Sequence, residues 1–296
     1  KDYKLPFKTH WGNQMNQRWN FKSCLVLVSI AILSTGCASK WVKRPEADQI
    51  KKVAIISTYM DSRISSDYGK EADGGGTSFL RALVGKDKKD EQEQIKKDDP
   101  RRVIVTKAYQ AFEKTINAIP NWQVVSYESV VRNKKYHAMF EPKQESGFMN
   151  TLMKAATRLG TAQYVTPAKL HVVPVNPSIN NSQTKEYAEL AKALGVDAVA
   201  AIHIKLGYND GWISLASQTK ASPMAAAELL MITSTGEVAV VTPRMTEDSF
   251  VEADGSVWIS NRKLKLDDDA IKLYDEAINK VASQFKKKIM EDFANS

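Results

Sequence analysis

The sequence predicts an α/β domain of the α+β kind, in which a single mixed sheet is flanked by helices and a long amphipathic helix ends the chain. Three observations lead to this fold class. A continuous β-branched run at 51–59 is typical of a strand buried on both faces. A helical pattern and a second strand follow at 103–127. Near the C-terminus, apolar residues recur at helical spacing: Ile271, Tyr274, Ile278, Val281, Phe285 and Ile289.

The first half of the domain is predicted to be a strand, a helix and a strand. Lys51 and Lys52 precede the first apolar run. Apolar side chains at 103–119 lie three and four residues apart, which predicts an amphipathic helix that Pro120 terminates. The segment 122–127 is then typical of a strand.

Residues 60–100 interrupt this pattern. The glycines at 74–76 and the charged run at 86–99 have no periodicity, so we expect a functional or flexible insertion. No Gly-Lys-Ser or Gly-Lys-Thr follows the glycines, which argues against a phosphate-binding loop.

Helical spacing returns at 148–159, before a stretch at 165–181 that is rich in proline and asparagine and should cross the surface. A short helix at 185–194 is expected to stop at Gly195, because glycine accepts the left-handed conformation that ends many helices. The strand at 196–206 follows directly.

The last third of the chain is predicted to hold a hairpin. Residues 207–222 are expected to form a loop that carries Trp212, and the runs 226–233 and 237–241 flank a Ser-Thr-Gly turn. The segment 251–259, with Trp258, is either a short strand or a loop. The C-terminal helix starts with aspartates and has lysines near its end, which suits the helix dipole: Asp267, Asp268, Asp269, Lys286, Lys287 and Lys288.

The stretch before the domain has the parts of a secretory signal peptide. Met15 is the expected start of translation, so residues 1–14 are excluded from the fold. Arg18 and Lys22 form a basic segment, and the apolar run 25–33 ends in small residues. A bilayer-spanning helix needs about 20 apolar residues, so a permanent membrane helix is not expected here.

The exit of this leader, Ser34-Thr35-Gly36-Cys37, resembles the lipobox of bacterial lipoproteins, although the family usually has leucine where Ser34 stands. The resemblance implies cleavage between Gly36 and Cys37 and a covalent lipid on Cys37, which would be the only cofactor-like group. Ala38, in place of aspartate, implies the inner leaflet of the outer membrane, facing the periplasm. An ordinary signal peptide with an incidental cysteine is the alternative. The expected boundaries are a signal at 15–36, a polar tether at 37–50 and one domain at 51–296.

Composition excludes some functions. Loss of residues 1–36 removes five basic residues and one acidic residue, so the formal charge falls from +8 to +4, and no nucleic-acid partner is expected. Cys24 leaves with the leader, and Cys37 is then the only cysteine, so no intramolecular disulfide is available. Stability must come from a packed core.

Local motifs for catalysis or metal binding are not evident. His137, His171 and His203 are far apart in sequence, and His203 lies in a predicted strand, where a structural role is expected. No nucleophile elbow and no His-Glu-x-x-His are present. The aspartates at 267–269 fit a helix start better than a cation site, so no metal is predicted. Trp212 and Trp258 lie in Gly- or Asp-containing segments and are the candidate interface residues.

The element order resembles the small α/β fold shared by the curli secretion channel lipoprotein, the amino-terminal domain of TolB and the lipoprotein activators of penicillin-binding proteins. Four segments carry the likeness: 52–57, 108–127, 190–199 and 229–238. The resemblance implies an accessory or scaffold protein that binds another envelope protein or itself, and not an enzyme. Two alternatives stay open, an oligomeric secretion channel of the curli type and a periplasmic enzyme whose site is assembled from scattered residues.

Overall fold

The computed structural model describes residues 40–64, 99–140, 164–175, 181–209, 218–260 and 263–295. All of them belong to one of the two units into which the chain divides, Lys40–Ser296. Within these residues nine strands form a mixed sheet with helices packed against it, so the predicted fold class is confirmed.

The strand β1 (Lys52–Asp61) lies near one edge of the sheet and is almost completely buried, as its continuous apolar run predicted. It runs parallel to the short β2 (Gln123–Val124) and to the long β4 (Ala198–Asn209). Its last two residues pair with the antiparallel β3 (Tyr164–Val165). The strand therefore extends into the start of the predicted insertion 60–100.

The sheet is dominated by the antiparallel pair of β4 and β5 (Gln218–Thr233). The prediction of a loop at 207–222 is wrong at both ends, because β4 continues to Asn209 and β5 begins at Gln218. Small residues and Pro223 gave this part of β5 a weak strand signal. In the sheet, the carbonyl of Pro223 accepts a hydrogen bond from the backbone N–H of Ala253, 2.9 Å away, so the missing N–H of proline does not prevent pairing.

Three short strands pair antiparallel with different parts of β5: β6 (Val238–Val241), β7 (Val251–Glu252) and β8 (Val257–Ser260). A fourth short strand, β9 (Lys263–Leu264), pairs antiparallel with β8. The hairpin of β5 and β6 is confirmed, with Gly236 at a φ of 93°. The segment 251–259, for which the sequence predicts either a short strand or a loop, contains β7 and most of β8.

Five α-helices are seen in the described residues: α1 (Pro100–Asn117), α2 (Tyr127–Val131), α3 (Lys134–Ala138), α4 (Asn181–Leu194) and α5 (Asp268–Ala294). α1 and α5 pack against each other, with Phe112 and Phe285 ring centroids 5.3 Å apart. α4 ends at Gly195, whose φ is 67°, and the aspartates 267–269 lie at the start of α5, both as predicted. The Asp267 carboxylate also caps α5 by accepting a hydrogen bond from the backbone N–H of Ala270.

The strand predicted at 122–127 is much shorter than expected. Only Gln123–Val124 pairs with β1, and α2 begins at Tyr127. The reason is local, because Ser126 caps α2 by accepting a hydrogen bond from the backbone N–H of Ser129.

The second part of the predicted tether 37–50 is packed on the domain. Val42, Ala47 and Ile50 are each at most 3% exposed. Val42 forms an isolated antiparallel bridge with Val240 at the edge of β6. Apolar side chains and edge hydrogen bonds therefore hold residues 41–50, in spite of their polar composition.

Several predictions fall outside the described residues. These are the signal peptide with Gly36 and Cys37, most of the insertion 60–100, the helix 148–159, and Trp212.

Candidate functional site

The polar centre of the sheet is formed by three residues on neighbouring strands. His203 of β4 pairs directly with Tyr59 of β1 on one side and with Glu228 of β5 on the other. Directly opposed residues on paired strands point to the same face, so these side chains form one row across the sheet. Asp61 follows two positions after Tyr59 on the same face.

His203 is held between two carboxylates, in what we call the carboxylate–histidine cluster (Tyr59, Asp61, His203, Glu228). Nε2 of His203 lies 3.0 Å from Oδ1 of Asp61, and Nδ1 lies 3.5 Å from Oε2 of Glu228. The imidazole stacks on the ring of Tyr59, with centroids 4.5 Å apart and planes 10° from parallel. The histidine side chain is only 15% exposed.

The charges in this cluster are strongly coupled. Burial alone would lower the pKa of His203, but the charge and hydrogen bond of Asp61, together with Glu228, outweigh it and raise the pKa to about 9. Burial would raise the pKa of Glu228, but its hydrogen bond to His203 and the positive charge there bring it below its usual value. At neutral pH the cluster therefore holds an imidazolium between carboxylates.

The cluster also joins the sheet to two irregular segments. The backbone N–H of Met245 donates to Oε1 of Glu228 over 2.8 Å, and the N–H of Val175 donates to the hydroxyl of Tyr59 over 3.0 Å. Each of these acceptors is mostly buried. Removal of either would leave a backbone donor without its partner inside the protein.

The chemistry available to this cluster is limited by its own contacts. A general base needs a ring nitrogen free to take a proton from a substrate, and a nucleophilic site needs a hydroxyl or thiol beside that nitrogen. Both nitrogens of His203 instead face protein carboxylates, and its raised pKa keeps the ring protonated. The arrangement suits a buried ion cluster that fixes three strands.

The other two histidines form a second contact, the histidine pair (His137 and His171). Nε2 of His137 lies 2.7 Å from the carbonyl oxygen of Val131, so this nitrogen donates. Nδ1 of His137 and Nε2 of His171 lie 3.1 Å apart and share a hydrogen bond. Burial, followed by the neighbouring His137, lowers the pKa of His171 to about 4, so the His171 ring is neutral at pH 7.

The histidine pair is a hydrogen bond between rings. The two ring centroids are 5.3 Å apart, and the ring planes are 74° from parallel. Tyr136 supports the pair by accepting from the backbone N–H of His171 and by donating to the carbonyl of Ile56.

Neither cluster is arranged as a metal centre. Within the described ranges, no group of three or more His, Cys, Asp or Glu side chains is placed to hold a metal ion. In the cluster the carboxylates lie on opposite sides of the imidazole, so one ion cannot contact both carboxylates and a ring nitrogen.

Trp258, one of the two candidate interface residues, lies on β8 opposite Lys220 of β5. Its side chain is 63% exposed, whereas its neighbours Val257 and Ile259 are buried. The Lys220 ammonium lies 5.3 Å from the centre of the indole ring. The second candidate, Trp212, lies outside the described residues.

The sequence missed the partners of His203. It placed His203 correctly in a strand, but Asp61 fell in the supposed insertion and Glu228 in an apolar run. A usable signal existed, because a lone carboxylate and a lone histidine each interrupted a buried strand.

No family model matches this chain, and no curated protein sequence matches it. In the part of the chain that the structure describes, no helix is both long and apolar enough to cross a membrane.

Proposed function

We propose that this protein is a non-enzymatic, lipid-anchored lipoprotein of the bacterial envelope whose α/β domain binds another protein. It acts as an accessory or scaffold subunit in an outer-membrane or periplasmic complex. The observation that carries the proposal is the exposure of Trp258, which is the most exposed large apolar side chain among the described residues.

Only three large apolar side chains of the described residues are exposed, namely Val103, Trp258 and Met290, and Trp258 is the most exposed of them. Tryptophan is among the residues that contribute most at protein interfaces, because it buries a large rigid surface at a low entropic cost. It lies on a short strand near the end of the sheet, where a partner has access. The adjacent Lys220 adds a charge at the rim.

The carboxylate–histidine cluster supports the non-enzymatic part of the proposal. Its buried charges are neutralised by each other and by backbone donors, and both nitrogens of His203 are engaged by the protein. Such a cluster holds strands in register, and it leaves no ring nitrogen of His203 free to take a proton from a substrate.

The lipid anchor rests on the leader sequence. Cleavage before Cys37 and acylation of its sulfur would attach the mature chain to the membrane. Several acyl chains anchor a protein firmly, because each buried CH₂ contributes about 0.8 kcal/mol.

Site-specific photo-crosslinking of the full-length protein in bacterial cells tests the interface. A photoreactive residue at position 258 should crosslink to one partner, and the same residue at position 103, the matched exposed control on α1, should not. With the purified partner, Trp258→Ala should weaken binding about 30-fold, as expected when a side chain contributes about 2 kcal/mol.

The thermal unfolding of Trp258→Ala should match that of the unsubstituted protein, because the side chain is mostly exposed. Equal crosslinking at both positions, or unchanged affinity after Trp258→Ala, contradicts the proposed interface. A crosslinked product whose mass is a multiple of the chain identifies self-association as the interaction.

A further inference from the structure

We infer that one end of the domain is a membrane-facing surface that contacts anionic lipid headgroups. This anchor-proximal surface comprises residues 40–48 and the last turns of α5, from Lys286 to Asn295. The inference rests on the proposed lipid anchor at Cys37, and goes beyond it by assigning which face of the domain meets the bilayer.

The chain is fixed to the domain from residue 41 onward. The Asp292 carboxylate, only 3% exposed, accepts hydrogen bonds from the backbone N–H groups of Trp41 at 2.6 Å and Val42 at 3.3 Å. The indole of Trp41 packs edge-on against Phe285, with centroids 5.1 Å apart. The N–H of Lys43 donates to the carbonyl of Ala239 in β6, 2.8 Å away.

This docking leaves very little free chain between the anchor and the domain. Three peptide units connect position 37 to position 40, and an extended chain spans at most about 3.6 Å per residue, which gives about 11 Å. A free tether over the whole of 37–50 would span about 47 Å by the same measure. An acylated sulfur at position 37 therefore keeps the Lys40 end of the domain close to the headgroups.

The α5 terminus lies at this same end. The Lys40 ammonium donates to the carbonyl of Asn295 over 3.1 Å, and the Arg44 guanidinium donates to that of Phe293 over 3.3 Å. Any membrane that Lys40 approaches is thus also within reach of the last helical turn.

The chemistry of this surface suits headgroups. It carries five exposed basic residues, and its net charge over 40–48 and 286–295 is +2: Lys40, Lys43, Arg44, Lys286 and Lys287. Met290, 37% exposed, lies among them as an apolar contact. Basic residues within a Debye length of an anionic leaflet each strengthen adsorption about fivefold.

The two cysteines make a clean experiment possible. Cys24 leaves with the leader and the sulfur of Cys37 carries the lipid, so an engineered cysteine is the only thiol. Met290→Cys places a fluorescent probe on the surface. Val103→Cys is the control, because position 103 lies near Asp275 of α5. Lys107, one turn further along α1, forms an ion pair with Asp275. Met290 lies 15 residues beyond Asp275 on α5, about 22 Å along the helix.

The full-length acylated protein is reconstituted in vesicles of phosphatidylethanolamine and phosphatidylglycerol that contain a headgroup-level quencher. The probe at 290 should be quenched at least threefold more than the probe at 103. Replacing phosphatidylglycerol by phosphatidylcholine, or introducing Lys287→Glu, should reduce the quenching at 290. Lys272 is an exposed lysine at the other end of α5, and Lys272→Glu should leave the quenching at 290 unchanged.

Intact mass measured on the same samples separates the two claims. An acylated protein with equal quenching at 290 and 103 overturns the membrane-facing surface and leaves the anchor standing. Quenching at 290 that ignores both lipid charge and Lys287→Glu overturns the anionic contact. A chain without acyl groups overturns the anchor and the inference together.

Discussion

The carboxylate–histidine cluster makes stability depend on pH in a direction that the structure fixes. His203 has a pKa raised from 6.5 to about 9 in the folded protein. A shift of this size corresponds to about 3 kcal/mol of stabilisation, at about 1.4 kcal/mol per pKa unit. Because the folded pKa is the higher one, this contribution is fully present below about pH 6.5 and is lost as pH rises through about 9.

The perturbation that isolates this contribution is His203→Gln, which keeps a polar side chain but cannot titrate. Urea unfolding of the unsubstituted protein and of the variant, between about pH 6 and about pH 10, gives the difference in unfolding free energy at each pH. Titrating groups that do not contact His203 cancel in that difference. It should shrink by about 3 kcal/mol across the range as the imidazolium of the unsubstituted protein loses its proton.

The reasoning is refuted if the two stability curves run parallel. A constant difference would mean that His203 titrates at the same pH in the folded and unfolded chains, so that Asp61 and Glu228 do not outweigh the effect of burial on its charge. The lowered pKa of Glu228 reports the same interaction from the other partner and adds no second contribution.

Three further outcomes follow from the packing. Asp292→Ala should lower the unfolding free energy by about 1–3 kcal/mol, since the part-buried N–H of Trp41 and the buried N–H of Val42 lose their acceptor, and it should speed hydrogen exchange at both. Asp48→Ala, at an exposed ion pair, should change stability by less than about 0.5 kcal/mol. Gly195→Val should destabilise the protein by more than Gly195→Asn in urea unfolding, because asparagine tolerates the φ of 67° and a β-branched residue does not. Tyr136→Phe removes a buried hydroxyl that both donates and accepts, and its thermal midpoint should fall by an amount corresponding to about 1–3 kcal/mol; an unchanged midpoint would contradict these hydrogen bonds.

The sequence was most informative where periodicity was strong. β1 and α5 follow from a continuous β-branched run and from a long apolar stripe, and both lie where they were predicted. In such segments the spacing of the apolar residues shows which positions are buried, and this spacing can be seen in a single sequence. The turn at Gly236 and the stop at Gly195 were also predictable, because both positions have a positive φ that favours glycine.

Long-range pairing was the part that the sequence could not supply. The start of β5 is rich in alanine and contains Pro223, yet it is a strand because β4 and β7 pair with it on both sides. Tertiary context overrides a weak local preference here. The docking of residues 41 and 42 is of the same kind, since their acceptor Asp292 lies some 250 positions further along the chain.

The candidate site shows the same limit. His203 was expected to be a structural histidine in a strand, and the structure places it there. Its partners come from β1 and β5, and only the registers Tyr59 with His203 and His203 with Glu228 bring them together. A one-residue slip of either strand would turn the partner to the other face.

Mass spectrometry of the amino-terminal peptide of the mature protein, isolated from bacterial membranes, tests the central proposal most directly. The proposal predicts a peptide that begins at Cys37 and carries a diacylglycerol on its sulfur. A mature chain that begins at another residue, or a peptide with an unmodified Cys37 thiol, would contradict it.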